Sequence, residues 1–123
     1  MLIDLHCHTR PLSACSALTA AELVSLACER GLDGICLTEH DRAWDAGELA
    51  ELRESAPIRV FSAVELTTDM GHVLAFGLDP SGFSAIARAV FAAAEASGGV
   101  LFLAHPARDG LLRGTHETVH YFA

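Results

Sequence analysis

Residues 2–9 read Leu-Ile-Asp-Leu-His-Cys-His-Thr. Ile3 and Leu5 alternate with Asp4 and His6, the two-residue period of a β-strand running from Leu2 to Cys7, almost from the first residue. Side chains two apart on a strand leave by the same face, so His6 and His8 can grip one ion. Asp4 stands behind them. A strand that delivers histidines at its carboxyl end points to an α/β layer fold, in which ligands gather at the ends of the strands.

The pattern that follows fits that architecture. Thr19 is placed to cap a helix over Ala20–Arg30, with Leu23, Leu26 and Ala27 on its inner face and Gly31 just past its end. Asp33–Glu39 reads as a second strand. Trp44–Ser55 reads as a helix with Leu49 and Leu52 inward, stopped by Pro57 before a third strand, Ile58–Thr67. Thr68-Asp69-Met70-Gly71 is too short for a parallel crossover, so His72–Leu78 should return antiparallel, bringing Glu65 and His72 to one end. Ser81 is expected to cap an alanine-rich helix to Ser97, with Gly98-Gly99 ending it before a fifth strand, Val100–Ala104. Trp44, Phe61, Phe76 and Phe91 read as core.

Composition narrows the function classes. The 123-residue chain has sixteen acidic residues against eight arginines and no lysine, a net charge of −8. No basic stripe is available for duplex nucleic acid. The apolar region Ala89–Ala107 is broken by Glu95 and Gly98-Gly99, which argues against a membrane span. Cys7, Cys15, Cys28 and Cys36 have no C-x-x-C spacing, and no signal peptide is legible, so reduced thiols in the cytoplasm are expected.

Five of the seven histidines fall at predicted strand ends: His6 and His8, His40 after the second strand, His72 opening the fourth and His105 closing the fifth. Glu65 lies late in the third. Imidazoles with a carboxylate suit zinc, manganese or iron, whereas magnesium or calcium would want clustered carboxylates. A glutamate that bridges two ions about 3.5–4 Å apart serves phosphoryl transfer, with a metal-activated hydroxide as the expected nucleophile.

Asp4-Leu5-His6-Cys7-His8-Thr9, Thr38-Glu39-His40-Asp41, Val64-Glu65-Leu66, Gly71-His72-Val73-Leu74 and Ala104-His105-Pro106 resemble, in order, the motifs of the polymerase and histidinol phosphatase (PHP) family. The resemblance implies the N-terminal part of a distorted (β/α)₇ TIM-like barrel, with residues 1–123 as a single PHP domain incomplete at its C-terminus. It also implies a phosphoesterase acting on a small phosphorylated metabolite or nucleotide, with two or up to three divalent ions. Carried across by resemblance, His6, His8 and Glu65 would hold one ion and Glu65, His72 and His105 a second. His40 matches a ligand of the third, but Ala14 occupies a position where some members place another histidine, and the family's late Asp-x-His is absent. Glu65, His40 and Asp41 are the expected catalytic residues.

Arg10 and Arg108 could fork onto a substrate phosphate, and Asp4, Glu39 and Asp41 could orient the imidazoles. His116-Glu117-Thr118-Val119-His120 matches a helical zinc motif, but Gly110 and Gly114 interrupt any helix before it and only three residues follow. An amidohydrolase is disfavoured because many bridge their metals with a carboxylated lysine. A non-catalytic metal-binding module is the alternative. An open barrel would also leave an unpaired edge and exposed core, so either a homodimer or poor stability is expected.

Overall fold

The structure is a computed structural model and describes residues 1–105. These fall in two compact units, Met1–Val64 and the remainder from Glu65.

In the first unit, β1 (Ile3–Cys7), α1 (Ala20–Glu29), β2 (Gly34–His40) and α2 (Ala46–Ser55) precede β3 (Arg59–Thr68), which runs through the boundary. The strand order here is β1-β2-β3. β2 is an unbroken buried run from Gly34 to Glu39, as expected of a strand covered on both faces. Ile35 and Leu37 pack with Ala20, Val24, Ala27, Leu49 and Val60. Gly34 is required by a close approach, since a Cβ there would lie 2.8 Å from the Arg59 carbonyl oxygen.

β1 pairs parallel with β2, Ile3 opposite Gly34, Asp4 opposite Ile35 and Cys7 opposite Leu37. Three steps along β1 therefore match two along β2, and the extra residue breaks the alternation that the sequence suggests. Leu5 is exposed and Cys7 is buried. Within the irregular stretch the Asp4 carboxylate accepts the His6 amide at 3.0 Å. Bulges of this kind re-aim side chains beside functional sites.

α1 starts as expected, with Thr19 and Glu22 forming a reciprocal capping box. Its inner face is Ala20, Val24 and Ala27, with Leu23 partly covered; Leu26 is exposed, contrary to expectation. α2 begins two residues later than Trp44, because Asp45 takes the cap and accepts the amides of Gly47 and Glu48. Phe61 also departs from the core reading, at 41% exposure.

In the second unit the order is β3-β4-β5, with β4 at Gly71–Phe76, α3 at Ala87–Ser97 and β5 at Val100–Leu103. β4 and β5 are antiparallel, Val73 opposite Leu103 and Phe76 opposite Val100. The long helix expected from Ser81 is divided. Asp79 caps a single 3-10 turn, Pro80–Gly82, by accepting the Ser81 amide, and α3 starts only at Ala87. No side chain of α3's own N-cap residue, Ile86, serves it. Asp69, in the turn after β3, accepts the Ala87 amide at 2.8 Å, and its own amide donates to the Ala85 carbonyl at 2.8 Å. A cap supplied from another element is invisible to local sequence reading. Asp69→Ala is expected to cost about 1 kcal/mol, with Asp69→Asn nearly neutral, as read from chemical denaturation.

Among the described residues, no helix is long and apolar enough to cross a membrane.

Candidate metal centre

Each unit gathers its own set of ligand-type side chains. In the first unit, β1 and β2 end side by side, so His6, His8 and His40 converge. The His6 and His8 Nε2 atoms are 3.0 Å apart, and the rings meet edge to face. The His8 and His40 rings are stacked, with centroids 4.6 Å apart and planes at 12°. Two nitrogens each about 2.0–2.1 Å from one ion lie about 2.9 Å apart when they subtend a right angle, so the His6–His8 pair has the spacing of a chelate.

Beneath these histidines is Glu39, fully buried. Its carboxylate accepts the Thr9 amide at 3.1 Å, the Thr9 and Ser13 hydroxyls, and the Trp44 indole N–H at 3.1 Å. Burying a carboxylate requires such satisfaction. The Ser13 hydroxyl also lies 3.5 Å from His8 Nδ1 and within 3.3 Å of the His40 amide, which donates to it. Glu39 thus addresses the His8 imidazole and the His40 backbone through Ser13, rather than by the direct contact with an imidazole that its sequence position suggested. Trp44 is partly buried and has a polar task besides packing. Thr9 and Ser13 were not singled out by sequence; the signal for them was small hydroxyl residues one and five positions after the His-x-His.

Asp4 reaches the His6 backbone amide. Asp41 is exposed and follows β2 with a φ of 55°, a left-handed turn residue. Arg10 is also exposed, and its guanidinium lies 3.4 Å from Glu22 in the α1 cap.

In the second unit, Glu65 near the end of β3 is fully buried, and its Oε1 meets two imidazoles. His72 Nδ1, from β4, is at 3.0 Å and His105 Nε2, just after β5, is at 2.9 Å. The two rings are edge to face, 5.1 Å apart. His105 adopts a φ of 32°, unusual for a residue with a side chain. One carboxylate oxygen between two imidazole nitrogens is the donor set that zinc, manganese or iron takes, so these residues fit a divalent transition-metal ion. Arg108 and the His116–His120 motif lie outside the described residues.

The burial of Cys7 and the nearby Asp4 carboxylate push its thiol up to about 12, and burial pushes Cys36 to about 11, so both behave as apolar core.

Known proteins resemble this chain. An error-prone DNA polymerase from Cutibacterium acnes is 28% identical over 108 residues, 78% of this chain and 10% of the polymerase. A solved chain from Bifidobacterium adolescentis, provisionally named a metal-dependent phosphoesterase, is 33% identical with a TM-score of 0.55, over 65% of this chain and 29% of that one. An amidohydrolase from Chromobacterium violaceum, solved with bound sulfate and no metal, is 30% identical with a TM-score of 0.53, over 66% and 29%. The chain therefore spans about a tenth of the polymerase and under a third of either solved chain. The family profile of the PHP domain matches residues 4–113. With that profile covering most of its length and an α/β fold carrying part of the family's barrel, the chain belongs to the PHP domain family of metal-dependent hydrolases.

Proposed function

We propose that this chain serves metal-dependent hydrolysis of phosphate esters, with a small phosphorylated metabolite or nucleotide as substrate. The observation that carries the reading is Glu65, a fully buried carboxylate with one oxygen within 3.0 Å of two imidazole nitrogens. Such an oxygen is positioned to be shared. His72 and His105 would complete an ion site in the second unit, and His6, His8 and His40 would bind in the first. Zinc, manganese or iron, when bound, would supply Lewis acidity, lowering the pKa of water toward about 7 and offsetting charge on the phosphoryl oxygens.

The exposed Asp41, which follows β2, is assigned to proton handling on this reading, with His40 beside it held as a ligand. Arg10 could turn to a substrate phosphate at little cost, since its contact with Glu22 is a solvent-exposed ion pair. Phosphate esters are favoured over amides by the phosphoesterase relative and by the sulfate held in the amidohydrolase, because sulfate has phosphate's shape and charge distribution.

The test is turnover by the full chain across phosphate monoesters, nucleotides and amides. Chelation is expected to abolish phosphate release, and added zinc, manganese or ferrous iron to restore it. Hydrolysis of amides alone would overturn the substrate class. Full metal loading without any turnover would favour a non-catalytic module, a second reading that the polymerase relative supports.

A further inference from the structure

The loop between β1 and α1 brings a donor to the histidines that sequence comparison did not assign. Ser13 is buried in that loop, with its amide donating to the Thr9 carbonyl at 2.8 Å and its hydroxyl engaged with Glu39. A further bond, from the Ser16 amide to the Ser13 carbonyl at 3.2 Å, turns the chain over Ala14 and Cys15. The turn carries Cys15 beside His8 and His40. Its Sγ and one nitrogen from each of those rings lie within 4.8 Å of one another.

We propose that Cys15 is a metal ligand, completing with His8 and His40 a two-imidazole, one-thiolate ion site in the first unit. The residue stands one position after Ala14, where the family resemblance had called for another histidine. The thiol donor replaces the missing imidazole from the neighbouring position. Three features separate Cys15 from an ordinary surface cysteine. It is exposed, so an arriving ion can reach it, whereas Cys7 and Cys36 are buried. The loop bearing it is pinned by a fully satisfied buried carboxylate. One nitrogen from each of two imidazoles lies within 4.8 Å of its Sγ.

A thiolate changes which ion is held. Soft sulfur favours zinc, and by the same chemistry cobalt or ferrous iron, over manganese and magnesium, which prefer oxygen. Binding converts the thiol to a coordinated thiolate and releases one proton to the buffer.

The inference rests on the metal-centre reading, and the experiment separates the two. The full chain is loaded with Co(II) and its absorption is compared with that of Cys15→Ser. The wild type is expected to show a near-ultraviolet thiolate-to-cobalt charge-transfer band and the variant to lose it while still binding cobalt elsewhere. Zinc affinity at this site should fall at least about tenfold in the variant, with manganese binding unchanged. In parallel, zinc should slow alkylation of Cys15 at least about tenfold while Cys28, exposed on α1, reacts at an unchanged rate and serves as the internal control. Cobalt bound without a thiolate band, or Cys15 alkylated equally fast with and without zinc, would overturn the assignment and leave the metal-centre reading standing. Failure of the wild type to bind any transition metal would overturn both.

Discussion

Glu65→Gln is expected to reduce phosphate-ester hydrolysis at least about a hundredfold and to strip metal from the second unit, while the protein remains folded. Glutamine keeps the shape of the side chain, so the packing around this fully buried position is retained. What is lost is the negative charge at the oxygen that His72 and His105 both approach. A neutral amide would be a much weaker ligand for a divalent ion, and losing a ligand should exceed the ten- to hundredfold penalty typical of merely losing a ligand's supporting partner. Metal content by elemental analysis and turnover on the same sample check the result. Unchanged metal stoichiometry in the variant would remove Glu65 from the centre. His72→Ala should act in the same direction.

The second large effect is on stability. Glu39→Ala is expected to lower the melting temperature by about 10 °C or more, without a charge being lost from any proposed ion site. The carboxylate satisfies the Thr9 amide, the Thr9 and Ser13 hydroxyls and the Trp44 indole. Thr9 and Ser13 are buried, so truncation strands three donors away from water at about 1–3 kcal/mol each. Against a total stability of about 5–15 kcal/mol for a small domain, that is a large fraction. Glu39→Gln retains an acceptor and should lose markedly less. A circular-dichroism melt of both variants decides it, and an unperturbed Glu39→Ala melt would show that the network is replaced by water.

Much of this was legible in the sequence because the signals were local. Strand periods that begin or end beside a histidine located His6, His8, His40, His72 and His105, and the Thr19 cap and Gly98 stop were read from single residues. The features that escaped share one cause, dependence on a partner distant along the chain. Asp69 caps α3 from eighteen residues away, which is why the helix start was misplaced at Ser81. The bulge in β1 appears only in its pairing with β2, and it reversed the expectation for Leu5. Cys15 has no recognisable spacing to another cysteine; only the folded loop sets it beside His8 and His40. The Glu39 network likewise joins residues about thirty positions apart.

That network also determines how an ion would be received. In small zinc domains the ligands have no fixed arrangement until metal arrives, and binding must then order the backbone. Here Glu39 already holds the loop through Thr9 and Ser13, and Ser13 in turn engages His8 and His40, all with protein donors alone. The conformational entropy of assembling these residues is lost during folding, about 1–2 kcal/mol for each backbone residue fixed, rather than during loading. The first unit would in this sense be a preformed host: an ion should enter and leave reversibly and with little heat-capacity change, the choice among metals being left to the donor atoms.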